Sequence, residues 1–398
     1  MKLLTVDLES ALPDIPPPTV GEQWVLVRLQ GAPVGILKFA SEGCAADDLA
    51  RMIAERFPDR IMRVECRHGA LAHQETAIEL PTITVAVCTR DGAARLPECL
   101  DALVSLRYPP DRLDLLLVDN APKDDSTRVL LRRYPSVRYV VEPRPGLDRA
   151  RNRAIPESSA DIIAFTDDDV SVDPGWAAAI GSLFASDSSI DAVTGLVVAD
   201  EIDVEPQRLF EEYGGFSRGF ERQYFKVDSP AGEKAAGRYG GTGRFGTGAN
   251  MAFRRNIFER IGMFDPALDV GTPTNGGGDL EMFFRVLKEE GTLVYEPRAI
   301  VRHRHRRTYG ALRDQLANNG IGFYSYLVRS GRHYPEERST LARLGLWWFW
   351  WWNVRRLLRS FVNPSAFPRD LITAEISGSF LGLRRYQQSI RASAETVR

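Results

Sequence analysis

The period of apolar positions along this 398-residue chain changes twice. In residues 1–80, Trp24–Leu29 and Val34–Phe39 are strand-like runs, and Gln30-Gly31-Ala32-Pro33 between them predicts a hairpin turn. Ala45–Phe57 has helical spacing, and Asp59–Val64 reads as a returning strand. From Pro81 short apolar runs alternate with helical stretches. Strands are predicted at Ile83–Cys88, Leu113–Val118, Val137–Val141 and Asp161–Phe165, with helices at Ala93–Leu106, Ser126–Tyr134 and Leu147–Ala154. Such alternation predicts a mostly parallel sheet flanked by helices. A helix from Pro174-Gly175-Trp176, a strand Ala192–Val198, an irregular and mobile polar segment 201–236, a helix opened by Asp279 and a strand Leu293–Tyr295 follow. Beyond Tyr309 the pattern is helical to Ser330. The chain therefore divides into a small α+β module (1–80), an α/β body (81–310) and a helical region (311–398).

In open sheets of this kind ligands bind outside the carboxyl ends of the strands. Four consecutive predicted strands end in polar groups: Thr89-Arg90-Asp91, Asp119-Asn120, Glu142 and Asp167-Asp168-Asp169. The last follows the apolar run Ile162–Phe165. Three adjacent carboxylates repel, and a hard divalent cation with oxygen ligands, shared with a phosphate-bearing substrate, relieves that repulsion. A solvated acidic turn is the alternative for the triplet taken alone. Arg151 lies on the helix after Pro145-Gly146, where a helix N-terminus and a guanidinium both suit a phosphate. Gly237–Asn250 holds six glycines in its first twelve residues and permits close backbone approach to a ligand, but lacks the Gly-Lys-Ser/Thr ending of a P-loop. Asp279 follows three glycines and serves equally as a helix N-cap. His303 stands just after a strand among arginines, suited to a metal or a phosphate. His68 and His73 are lone histidines in a polar linker, a poor metal site.

Charge changes the picture for the C-terminal region. Formal net charge is −2, which argues against nucleic-acid binding by the whole chain. Residues 301–398 nevertheless carry 17 Arg, no Lys and six acids, a balance of +11. Trp347–Trp352 is six consecutive aromatics followed by Arg355, Arg356 and Arg359. Aromatics beside arginines over 346–359 fit peripheral contact with anionic lipid, and with it a lipid-linked acceptor. Burial against the body or in a homodimer contact is the alternative. No run of about 18 apolar residues exists to span a membrane, and Met1-Lys2 precedes acids and prolines rather than a signal-like run. The four cysteines form no CxxC pair, which fits inert thiols in a reducing compartment. A cytoplasmic location, peripheral on the inner face of the membrane, is expected.

Taken in order, Val87–Gly92, Leu117–Asn120, Gly146–Asn152, Phe165–Asp169, Gly246–Asn250, Gly278–Glu281 and Val301–His303 resemble the family 2 glycosyltransferases, inverting enzymes of the GT-A fold. The resemblance covers residues 82–310. It implies a nucleotide-sugar donor, a UDP-sugar by preference, and transfer in cell-surface polysaccharide, glycolipid or natural-product glycosylation. It implies that Thr89 and Asp119 hold the base with Arg90 and Asp91 nearby. Arg151 would meet the diphosphate, Asp167 the ribose, and Asp168, Gly248 and Asn250 would complete the donor site. Asp169, with His303, would hold Mn²⁺ or Mg²⁺, and Asp279 would be the general base. The family's Glu-Asp pair is here Gly278-Asp279, so Glu281 is a rival base. The Gln-x-x-Arg-Trp motif of processive synthases is absent, which favours transfer of a single sugar. Two other classes compete. A nucleotidyltransferase should carry a glycine-rich basic loop after its first strand, where this chain has Thr89–Arg95. A non-catalytic carbohydrate- or lipid-binding protein on this fold should have lost the acids.

Overall fold

The computed structural model describes residues 2–18, 22–39, 42–72, 79–227, 242–363 and 367–395. The stretch 237–241 of the glycine-rich segment, His73 and the His68 side chain lie outside the described residues. Three strands, β1 (Leu4–Asp7), β2 (Gln23–Leu29) and β3 (Ala32–Phe39), form an N-terminal sheet in which β1 is parallel and β3 antiparallel to β2. Gln30 and Gly31, with φ of 52° and 70°, make the hairpin turn. The expected strand at Asp59–Val64 is instead part of a helix, Pro58–Ala72. Proline at the first helical position and an aspartate in the first turn favour a helix start. Ile61 and Val64, three residues apart, pack with Phe57 on the module's core.

The central sheet runs β10 (Gln223–Phe225), β12 (Thr292–His303), β9 (Ile190–Ala199), β11 (Asn250–Arg254), β7 (Ile162–Asp167), β4 (Ile83–Thr89), β5 (Leu113–Asn120) and β6 (Val137–Glu142), while β8 (Val170–Val172) pairs with β12. Every residue of β4 is buried, as a mostly apolar strand covered on both faces requires. Ala86 and Cys88 face the helix Leu147–Glu157, and Val85 and Val87 face the helix Leu96–Val104. The four strands β7-β4-β5-β6 are mutually parallel. The chain leaves β4 toward β6 on one side and returns as β7 on the other, so a topological switch point lies between β4 and β7.

Beyond β7 the sheet is mixed. β11 enters antiparallel between β7 and β9, with Asn250 opposite Thr166. Its direction is what matters for the site: the start of β11, rather than its end, meets the carboxyl end of β7. The segment 201–236 is less irregular than its polarity suggests, since it contains the helix Glu205–Tyr213 and the strand β10. This is the mixed α/β architecture with a helix-flanked sheet that the GT-A resemblance implies.

The N-terminal module braces one end of this sheet. Leu3, Trp24 and Leu26 pack on Leu196, Val198, Tyr295 and Ile300. Arg28 pairs with Asp7 at 2.7 Å and with Asp173 at 2.5 Å. At the other side the long helices Tyr309–His333 and Arg369–Glu395 lie against each other. Gly378 permits that approach, because a Cβ there would stand 2.0 Å from the Ala317 carbonyl oxygen. The aromatic run is helical throughout, with a π-helical stretch Phe349–Val354 between the helices Arg338–Trp348 and Arg355–Val362. Its aromatics divide: Trp348 stacks on Phe323 (5.0 Å) and Trp352 meets Tyr213 (5.3 Å), whereas Trp347, Trp350 and Trp351 are exposed.

Candidate active site

The four parallel strand ends do converge on one edge, and they do different work there. Asp119 is buried, accepts from Tyr139 Oη at 2.8 Å, and burial pushes its carboxyl above the usual range. Asn120 ties the chain that enters the next helix: it donates to the Arg144 carbonyl and accepts from the Gly146 N–H at 2.7 Å. Glu142 is paired with Arg144. After β4, Asp91 adopts a positive φ of 50° and pairs with Lys123 at 2.8 Å, with Arg90 exposed beside it.

The acidic triplet is split by its surroundings. Asp168 faces Thr89, whose Oγ1 donates to it at 2.5 Å, and Arg95, whose Nε and Nη2 both donate at 2.9 Å. Its charge is therefore met by a bidentate guanidinium, and Thr89 and Asp168 lock β4 to β7 across the switch point. Asp167 and Asp169 point elsewhere. β8 pairs antiparallel with β12, with Val170 opposite His303, which sets Asp169 beside His303. One ligand atom from each of Asp167, Asp169 and His303 lies within 4.8 Å of the other two. Burial, only partly offset by Asp169, takes the His303 imidazole down to about 4, so it is neutral at pH 7, the form that ligates a metal. Partial burial, opposed by Arg151 and reinforced by Asp169 and Asp168, takes Asp167 up to about 7. Two carboxylates, of which Asp167 is held above the usual carboxylate range, and a neutral imidazole are a fitting donor set for a divalent cation.

Opposite this cluster lies a buried charge network. Arg151 Nη1 donates to Asp148 at 3.0 Å, and Nη2 stands 3.8 Å from Asp167. The N-terminus of the helix Leu147–Glu157 is already occupied by an anion of the chain itself. Asp269 accepts from the backbone N–H groups of Asp148 (2.9 Å) and Arg149 (3.3 Å). Burial takes Asp269 up to about 6 and Asp148 well above the carboxylate range, Asp269 adding to the effect on Asp148. The phosphate-directed reading of this region therefore rests on Arg151 alone, not on the helix end.

Asp279 sits in the first turn of the helix Gly278–Lys288. Its Oδ2 accepts from the Gly248 N–H at 2.8 Å and its Oδ1 from the Leu280 N–H at 2.9 Å, which fixes the carboxylate plane. Asp148, Arg151, Asp167, Gly248, Asp279 and His303 all line one cavity of about 180 Å³. Two expected site residues are elsewhere. Glu281 is fully buried and paired with Arg285 (2.8 Å) and Arg329 (2.8 Å), so the rival base has no access to the cavity. Two residues along a helix turn the side chain by about 200°. Asn250 is also fully buried, bridging Trp176 Nε1 (2.9 Å) to the carbonyls of Leu196 and Ala299. It fastens three elements of the body rather than a donor.

Asp148, Asp269 and Arg95 were not expected at the site. Asp148 and Arg95 lie within quoted motifs, but their roles depend on partners far away in sequence. Gly278 carries a steric requirement of the same kind: a Cβ would stand 2.0 Å from Asp148 Oδ2. Gly278→Ala is expected to cost about 1–3 kcal/mol through overpacking, read as a lower urea midpoint at unchanged slope.

Residues 84–262 match the family model described as glycosyl transferase family 2. The chain carries a family 2 glycosyl transferase domain. Polypeptide N-acetylgalactosaminyltransferase 13 of Rattus norvegicus is 29% identical over 195 residues, covering 45% of this chain and 33% of that protein. Glycosyltransferase AglE of Haloferax volcanii is 32% identical over 123 residues, covering 30% of this chain and 40% of that protein. The chain thus spans less than half the length of these two relatives. Among solved structures, the mannosyltransferase PcManGT from Pyrobaculum calidifontis in complex with GDP-Man and Mn²⁺ aligns with a TM-score of 0.44 at 16% identity, over 87% of this chain and 86% of that one. Of the sequence-derived transferase residues, Arg151, Asp167, Gly248, Asp279 and His303 share the cavity, and Asp169 adjoins it through His303.

Proposed function

We propose that this glycosyltransferase moves a single sugar from a nucleotide-diphosphate sugar, by preference a UDP-sugar, to an acceptor hydroxyl with inversion. The reading is supported by one observation: Asp167, His303, Arg151 and Asp279 line a single cavity, and Asp169 completes the cluster of Asp167 and His303 beside it. Asp167, Asp169 and His303 would hold Mn²⁺ or Mg²⁺. A bound divalent cation supplies Lewis-acid stabilisation of the departing diphosphate. Arg151 adds a fixed positive charge, preset by Asp148, toward the same developing negative charge. Asp279 accepts the acceptor hydroxyl's proton as that oxygen bonds to the anomeric carbon. The bond from that carbon to the diphosphate oxygen breaks, and its electron pair leaves with the diphosphate. One displacement from the face opposite the leaving group inverts the centre. The acceptor is lipid-linked in the reading that 346–359 touches a membrane.

Donor binding should stabilise the fold by mass action, about 2.7 kcal/mol at a hundredfold excess over Kd. A thermal-shift panel of UDP-, GDP- and dTDP-sugars is expected to show a shift that needs Mn²⁺ or Mg²⁺ and disappears with chelator. Asp169→Asn should lose the metal-dependent part. A donor shift indifferent to chelator and to Asp169→Asn would overturn the metal assignment, and retention of anomeric configuration in the product, read by NMR, would overturn inversion.

A further inference from the structure

The C-terminal helices enclose a second cavity, unrelated to the acids. It measures about 690 Å³ and is lined by Tyr324, Leu327, Leu341, Leu346, Phe380 and Leu383 among others, nearly all apolar. Small-molecule sites fall in roughly the same range, 300–1,000 Å³. Three of its walls, Leu346, Phe380 and Leu383, are 72%, 59% and 51% exposed, so the apolar surface continues outward. Phe349 and Phe380 meet across it with ring centroids 5.4 Å apart.

The surrounding surface has the same character. Ten of the 18 large hydrophobics exposed among the described residues fall between Leu346 and Leu383. Contiguous exposed apolar surface of this kind marks an interaction site. Its chemistry selects the partner. Residues 338–362 contain five Arg and no acid. Among the described residues no carboxylate lies within ion-pair distance of Arg332, Arg338, Arg343, Arg355, Arg359 or Arg384. The helix Arg355–Val362 sets Arg355 and Arg359 against Leu358, Phe361 and Val362. Arg355 lies over the exposed Trp351 at 3.7 Å. Guanidiniums left unneutralised around an apolar groove complement a molecule with a negative head and a hydrocarbon tail. A second copy of this chain would bring the same positive charge to the contact.

We propose that the groove between the helices Tyr309–His333, Arg338–Trp348 and Arg369–Glu395 binds one hydrocarbon chain of an anionic membrane lipid. Residues 350–362 then lie in the headgroup layer. The proposal rests on the membrane reading of 346–359 and adds a defined lipid site to it. That site adjoins the catalytic cavity through one helix: Gly322 packs on Gly276 and Gly277, which line that cavity, while Tyr324 and Leu327 line the groove.

The test uses the full chain, vesicles of phosphatidylcholine with phosphatidylglycerol or of phosphatidylcholine alone, and a phosphatidylglycerol carrying a photoreactive acyl chain. Flotation only with the anionic vesicles is expected, as are crosslinks on 324–346 and 379–383. Ala342→Trp fills the groove without altering charge. It should cut acyl crosslinking roughly tenfold while leaving flotation and donor thermal shift intact. Arg355→Gln with Arg359→Gln should weaken flotation and leave the donor shift unchanged. Flotation with crosslinks confined to 350–362 would overturn the groove and keep the membrane reading. Absence of flotation, or a dimer by ultracentrifugation whose interface protects 346–383 from hydrogen exchange, would overturn both. Either failure leaves the transferase reading untouched, because donor binding is scored separately.

Discussion

Asp279→Asn is expected to lower turnover by about 10²–10⁴-fold, the usual worth of a general base, with donor affinity within a few-fold of wild type. The substitution is nearly isosteric. Its side-chain oxygen can still accept from the Gly248 N–H, the contact that now fixes the carboxylate at 2.8 Å. What it removes is the capacity to take a proton, along with the acceptor for the Leu280 N–H. The loss should therefore fall on kcat, and the metal-dependent donor thermal shift should persist. Near-normal turnover in Asp279→Asn would exclude this residue as the base. Loss of donor binding together with turnover would mean that the Asp279–Gly248 contact shapes the donor site instead. Asp148 is no substitute base: burial holds its carboxyl well above the usual range and its Oδ1 is engaged by Arg151.

Much of this site was legible in the chain because its motifs sit at strand ends, and strand ends are readable from hydrophobic runs. β4 and β7 are buried on both faces, so their sequences are mostly apolar runs that end at Cys88 and at Phe165. Element type was harder where the run was short. Six residues from Asp59 hold too little periodicity to separate strand from helix, and Pro58 at the helix start decided the matter. The resemblance gave the three acids separate roles, but that Asp168 is the one turned away from the cluster was not legible. Asp168 differs from Asp167 and Asp169 because Arg95, 73 positions away, reaches it with two nitrogens and Thr89 with its hydroxyl. The resemblance places Asn250 at the donor, and nothing local in the sequence shows that its partner is Trp176, 74 positions earlier. The aromatic run supported two readings because its residues divide between faces: Trp348 and Trp352 turn inward, onto Phe323 and Tyr213, while Trp350 and Trp351 are exposed.

The same limit applied to Asp279 and Glu281, two acids in one helical turn that the sequence offers as equals, and stability separates them. Glu281→Gln is expected to destabilise the fold by about 3–5 kcal/mol, the usual result of removing one partner from a buried ion pair. Glu281 is the only carboxylate that the described residues place against Arg285, whose side chain is 3% exposed. The neutral amide can offer its one oxygen to only one of the two guanidiniums, so Arg285 becomes a buried charge with no counter-ion, held by the carbonyl oxygens of Ile261 and Met263. Arg329 retains Asp265 at 3.2 Å, so the loss concentrates on Arg285. The melting temperature should fall by on the order of 5–10 °C, while turnover measured well below that temperature stays near wild type. Asp279→Asn should do the reverse. If Glu281→Gln instead abolished turnover in a protein that still melts normally, the ion pair would not explain its place, and a direct part for Glu281 in the chemistry would follow. Replacing Arg285 by Met in the Glu281→Gln background tests the cause separately. Recovery of part of the lost stability is expected, because the penalty comes from the unpaired guanidinium rather than from the missing carboxylate.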